Sequence, residues 1–252
     1  MGERIAVITG GSRGLGRNMA VHLARRGVHS LITYKSNRTE ADKVVELVKK
    51  AGTKCVALEL DVGRSATFAA FTEAVRAALA STFSRERFDI LINNAGHGLR
   101  APFAETTEAD FDSLFNVHLK GTYFLTQRLL PLMADGGRIL NLSSGVARFS
   151  TPGYSAYAAM KGAIEVLTRY LAQELGPRRI SVNTIAPGAT ATDFAGGVIR
   201  DNPEYRQVLT SRTAMGRVGE PDDIGGAVAS LLADEASWMT GQRIEISGGL
   251  NL

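Results

Sequence analysis

Tyr157 and Lys161 stand four residues apart in the segment YSAYAAMKG, a run of small residues. On a helix that spacing puts a phenol and an ammonium group on one face. A free phenol has a pKa of about 10, too high for ready proton exchange near neutrality. A unit charge some 4 Å away is worth roughly 4 kcal/mol at an effective dielectric of about 20, or about three pKa units at most. The pair can thus do general acid/base chemistry without a carboxylic acid, Tyr157 carrying the proton and Lys161 tuning it. Tyr154 has no lysine four residues on and reads as a pocket wall.

A second chemical feature lies near the start of the chain. VITGGSRGLGRNMA places Gly10, Gly14 and Gly16 between an apolar run and a helical one. Glycines let a ligand approach the backbone, and the helix start offers free N–H groups to a diphosphate. In NAD-binding sheets an acidic residue ends the second strand and holds the ribose 2′-hydroxyl. Here that strand ends at Tyr34, followed by Lys35 and Ser36, with no carboxylate. Arg13 and Lys35 suit a 2′-phosphate instead, with Ser36 or Asn37 donating to it. The expected cofactor is therefore NADP(H), and NAD(H) is the alternative.

These groups need a scaffold. Apolar runs alternate with helical stretches throughout: RIAVIT, SLITY, CVALEL, FDILIN, GRILNLS, ISVNTIAP and RIEISG. Runs that are apolar throughout suit parallel strands covered on both faces. The expected fold is α/β, a doubly wound seven-stranded parallel sheet with helices on both faces, in one domain over 1–252. Residues 189–215 carry no strand and are expected to form a lid.

The order TGGSRGLG, NNAG, SS…Y-x-x-x-K, PG and SGG resembles the short-chain dehydrogenase/reductase family, in its shorter form, over nearly the whole chain. The resemblance implies hydride transfer between NADP(H) and a ketone or secondary alcohol, with Tyr157 as the general acid/base. It implies that Lys161 also holds the nicotinamide ribose. The serine-to-tyrosine distance selects Ser144 as the residue that binds the carbonyl oxygen. Ser12 and Leu15 would join the glycine turn at the cofactor, and Asp61 and Val62 would meet the adenine. Asn93, Ala95 and Gly96 would line the cofactor, with Asn93 steadying the sheet. Pro187, Gly188, Thr190 and Thr192 would meet the carboxamide and diphosphate. Many members carry an asparagine before L-x-G that holds a water against the lysine; here His118 occupies that place and Asn116 comes two residues early. The substrate pocket is expected to use His97, Ser144, Arg148, Phe149, Tyr154 and Phe194. A homodimer or homotetramer is implied, paired through the Tyr157 helix and the one before it. The alternatives are an NAD-dependent alcohol or sugar dehydrogenase, and a non-catalytic cofactor sensor on the same fold.

Composition narrows the remaining classes. The chain has 252 residues, 44% hydrophobic, with a net charge of +4. Its basic residues are scattered, so no nucleic-acid partner is expected. No apolar run can span a bilayer and RIAVITG leaves no room for a signal peptide, so a cytoplasmic protein is expected, with no membrane partner. Cys55 is the one cysteine, which leaves no internal disulfide.

Overall fold

The structure is a computed structural model that describes residues 3–252; Met1 and Gly2, which the sequence reading counts within the domain, lie outside the described residues. Seven parallel strands form one sheet in the order β3-β2-β1-β4-β5-β6-β7. They are β1 (Ile5–Ile8), β2 (His29–Tyr34), β3 (Cys55–Glu59), β4 (Phe88–Asn93), β5 (Met133–Leu142), β6 (Ser181–Pro187) and β7 (Arg243–Ile246). The doubly wound reading of the sequence is correct. Its fifth strand was placed too late: β5 begins at Met133, and its register against β4 shifts between Phe88 and Ile90.

Side chains of a strand alternate between faces, and each face here meets helices. Ala6, Ile8, Ile90 and Ile92 pack with α1 (Gly14–Ala24), α2 (Arg38–Lys50) and α9 (Pro221–Leu231). Ile5, Val7, Leu91 and Ile139 pack against the other layer, which holds α3 (Phe68–Ala78), α5 (Thr122–Leu129) and α6 (Ser155–Leu175). Because both faces are covered, the strands need no polar side. All residues of β1 and β2 are buried.

The chain steps from β1 outward to β2 and β3, then returns to place β4 on the other side of β1. A crevice opens at the carboxyl ends of β1 and β4, where α/β sheets bind ligands. A short helix, α4 (Glu108–Leu114), runs into α5 through a wide π-helical stretch, Phe115–Gly121. Gly121 lets this stretch pack closely on the chain that follows β3, because a Cβ there would sit 2.3 Å from the Val62 carbonyl oxygen. Between β6 and β7 lie α7 (Val198–Asp201) and α8 (Pro203–Ser211), in the segment expected to be a lid. Among the described residues no helix is long and apolar enough to cross a membrane.

Candidate active site

The glycine turn is held from two sides. Thr33 on β2 accepts from the Gly10 N–H at 3.0 Å, and Asn94 donates to the carbonyls of Thr9 and Gly10 at 2.8 and 3.1 Å. Thr9 accepts in turn from the N–H groups of Asn94 and Ala95, both at 2.9 Å. These bonds lock the ends of β1, β2 and β4 together. Gly16 allows the turn to close: a Cβ there would meet the Gly10 carbonyl oxygen at 2.3 Å. Gly14, at φ +54°, faces open space, with the Thr192 Cβ 4.0 Å from where its own would be. The first turn of α1 has no side-chain cap, whereas Asn37 caps α2. Free N–H groups above an open gap fit a diphosphate.

The glycines therefore differ in their tolerance. Gly16→Ala is expected to cost about 1–3 kcal/mol through overpacking against backbone. Gly14→Ala is expected to cost only about 1 kcal/mol of backbone strain. Thermal unfolding of both variants checks the order.

Tyr34, Lys35, Ser36 and Asp61 gather where β2 and β3 end, but Lys35 is not free. Its Nζ lies 2.9 Å from Asp61 Oδ2, in an ion pair whose lysine side is largely exposed. The Gly63 N–H donates to the other Asp61 oxygen at 2.9 Å, and these contacts outweigh burial in holding the carboxyl low. Asn37 is committed to capping α2, accepting from the Glu40 N–H. Arg13 is exposed at the start of α1. Sequence reasoning missed Arg38, whose guanidinium lies 5.8 Å from the Tyr34 ring centroid and which pairs with Asp42.

Asn93 is turned into the sheet. Its amide donates to Asn141 at 2.8 Å and Thr126 at 3.0 Å, and Asn141 donates on to Thr168 at 2.9 Å. This buried polar chain ties β4 and β5 to α5 and α6. Gly188 lets β6 pass close to β7, since a Cβ would meet Ser247 Cα at 2.7 Å. Thr190 and Thr192 are buried, and both spend their hydroxyls on local backbone groups.

Tyr157 and Lys161 share one face of α6, both buried, with the Lys161 Nζ 5.5 Å from the Tyr157 ring centroid. The ammonium donates to the Leu142 carbonyl at 2.8 Å, at the end of β5. Ser144 follows two residues later, accepts from the Val146 N–H at 3.5 Å, and its hydroxyl acts on the Tyr157 phenol against the effect of burial. Burial pushes the phenol up, opposed by the Ser144 hydroxyl, and burial brings Lys161 down to about 7. The charge effect expected from the four-residue spacing is thus outweighed in the protein itself, because desolvation disfavours both charged forms.

His118 edges onto the Tyr157 ring at 5.2 Å between centroids. Its Nε2 lies 2.8 Å from the His97 carbonyl oxygen, and its Nδ1 is buried with no partner among the described residues. Burial, then the nearby Lys161, drives its pKa down to about 2, so the ring is neutral. The short contact assigns the proton to Nε2 and leaves Nδ1 as an acceptor. Asn116, the other candidate, is only part-buried.

Tyr154 and Phe194 also border the phenol, with ring centroids 6.4 and 6.0 Å away. His97 leans on His118 at 5.4 Å, and the Phe149 ring lies over Gly145. Arg148 is turned elsewhere: its guanidinium pairs with Glu245 at 3.1 Å and donates to the Leu250 and Asn251 carbonyls.

A glycine cradle at the switch point of a doubly wound sheet, with a buried phenol and lysine and a part-buried serine beside it, defines a dinucleotide-binding class of protein. Residues 10–251 match the family model described as enoyl-(acyl carrier protein) reductase. An uncharacterized oxidoreductase of Methylorubrum extorquens is 36% identical over 98% of this chain and 97% of its own. The promiscuous reductase LugOII, which catalyzes keto-reduction at C1 during lugdunomycin biosynthesis, superposes with a TM-score of 0.93 at 35% identity, over 99% of this chain and 98% of that one. The angucycline C-6 ketoreductase LanV, solved with bound NADP, gives 0.93 at 35% identity, over 98% and 95%. The chain belongs to the short-chain dehydrogenase/reductase family.

Proposed function

We propose that the chain reduces a ketone with NADPH, Tyr157 giving the proton to the carbonyl oxygen. The observation that carries this reading is the buried Tyr157 phenol with the buried Lys161 one turn away on the same helix face, the Lys161 Nζ 5.5 Å from the ring centroid. A phenol kept protonated at neutral pH is the form needed to donate. NADPH, when bound, supplies the hydride. Ser144 holds the carbonyl oxygen, Tyr157 protonates it, and Lys161 anchors the ribose and steadies the phenolate left behind. His118, neutral and offering only an acceptor, holds a water through Nδ1 rather than giving up a proton. His118→Ala should lower the rate without abolishing it, as measured by steady-state turnover.

NADP is supported by the cations around the end of β2, by the missing carboxylate there, and by the NADP bound to LanV. Arg13 and Lys35 are proposed to take the 2′-phosphate, with Arg38 near them. Arg13 should matter more than Lys35, because Lys35 must first leave Asp61. A charge-assisted bond contributes about 1.5–3 kcal/mol, and each 1.4 kcal/mol is tenfold in affinity. Arg13→Ala is therefore expected to weaken NADPH binding by tens-fold and to leave NADH binding alone. Titrating both cofactors at matched ionic strength tests this, and equal losses for the two would favour the NAD alternative.

Residues 189–215 are proposed to close over the substrate. Ala195, Gly196 and Gly197 all take positive φ, which supplies a bend between Phe194 and α7. Exposed Tyr123 and Phe124 on α5, and Val166 and Tyr170 on α6, support pairing of two copies through these helices.

A further inference from the structure

We propose that Glu165 and Arg243 are positioning residues that hold Ser144 against Tyr157, and that they join the C-terminal tail to the active-site loop. Glu165 lies one turn beyond Lys161 on α6, and Arg243 opens β7. Glu165 Oε1 accepts from Ser143 Oγ and from Arg243 Nε, both at 2.6 Å. Arg243 Nη2 reaches the Ser144 carbonyl oxygen at 3.4 Å. One ion pair thus grips the side chain of Ser143 and the backbone of Ser144 at once. Peptide 143–144 is held on both sides, and this sets where the Ser144 hydroxyl points.

The chain of charges continues outward. Arg243 Nη2 also meets Glu245 Oε1 at 3.3 Å, and Glu245 Oε2 meets Arg148 Nη1 at 3.1 Å. Arg148 Nη2 lies 3.3 Å from the carbonyl oxygens of both Leu250 and Asn251. Two carboxylates alternate with two guanidiniums, so the network is neutral as a whole. The Glu165 and Arg243 side chains are only 16% and 23% exposed. A pair so far out of water is costly to break, because the surviving partner is left charged and desolvated. The Ser144 loop is anchored at its start by Glu165 and at Arg148 by the tail, and α6 begins at Ser155. Among the described residues the part-buried Glu165 carboxylate has no recorded partner besides Ser143 and Arg243.

The catalytic meaning of this device rests on the function proposed above; its geometry does not. The test is a double-mutant cycle between Glu165→Ala and Ser144→Ala, read two ways. The first readout is NADPH-dependent reduction of an aryl ketone by wild type and each variant. Glu165→Ala is expected to lower kcat about 10- to 100-fold with KM changed less than about 3-fold, and to cost nothing further once Ser144→Ala is present. Glu165→Gln, which keeps an acceptor for Ser143 and Arg243, should restore most of the rate. The second readout needs no substrate: the ring-carbon NMR signal of Tyr157 in the tyrosine-labelled protein, assigned with Tyr157→Phe. Glu165→Ala and Ser144→Ala should move it the same way, and the double variant no further.

If Glu165→Ala destabilises the fold, Arg243→Met serves in the same cycle, since methionine keeps an unbranched stem but can donate to neither Glu165 nor the Ser144 carbonyl. Additive effects in the cycle, or a Tyr157 signal that ignores Glu165 while responding to Ser144, would overturn the proposal. A Tyr157→Phe variant that keeps its rate would instead refute the proposed function and leave the NMR cycle standing as the test of this device.

Discussion

Tyr157→Phe is expected to remove turnover by about 10³-fold or more while leaving the NADPH dissociation constant within about two-fold. General acid catalysis contributes about 10²–10⁴-fold, and a phenylalanine ring has no proton to give. The ring is buried among His118, Tyr154 and Phe194, and phenylalanine preserves that packing. Only the phenol oxygen and the proton it transfers are lost. Steady-state kinetics and a cofactor titration on one preparation check both halves. A Phe variant that lost cofactor affinity along with rate would make Tyr157 a binding residue instead.

Lys161→Met is expected to be inactive yet more stable at neutral pH. Burial holds the folded pKa of Lys161 near 7, well below its ordinary value. Between pH 7 and about 10.4 the unfolded chain therefore binds a proton that the folded one does not, and stability rises with pH across that window. Below pH 7 the penalty is fully present; above about 10.4 it is gone. At about 1.36 kcal/mol per unit the penalty at neutral pH is of order 4 kcal/mol, reduced by the bond to the Leu142 carbonyl that methionine cannot make. A gain of about 2 kcal/mol would raise Tm by roughly 4–8 °C in a chain of this size. Melting curves at pH 7 and pH 9.5 should show the advantage shrinking as pH rises. An advantage that grew with pH would mean that Lys161 is charged and satisfied in the fold. Such a residue would be an instance of stability given up for function.

What the sequence made legible is what depends on local spacing. Gly10, Gly14 and Gly16 announce the cradle because a strand-turn-helix needs them within one turn. Tyr157 and Lys161 announce their shared face because a helix repeats every 3.6 residues. The balance of effects between them was not legible: spacing shows the charge, whereas desolvation depends on the surrounding fold. Contacts across large sequence distances were hidden for the same reason. Glu165 and Arg243 are 78 residues apart and meet only because β7 closes the sheet beside α6. Lys35 and Asp61 end neighbouring strands, so pairing β2 with β3 brings them together and takes Lys35 out of the free cations. Arg148 reads as a pocket residue from its place in the loop, yet its partners lie at the far end of the chain. The one overlooked signal near the cofactor crevice was the Arg38–Asp42 spacing, which marks Arg38 as the opening residue of α2 beside Tyr34.

The proposed reaction is hydride transfer from NADPH to a carbonyl carbon with Tyr157 supplying the proton. The direct measurement uses NADPH deuterated at its transferable nicotinamide position, a panel of aryl and alkyl ketones, and mass analysis of the alcohols formed. The wild type is expected to yield an alcohol carrying one deuterium on the carbinol carbon, and Tyr157→Phe to yield none above background. Alcohol without deuterium, label appearing as fast with Tyr157→Phe, or no ketone of the panel reduced at all would contradict the account.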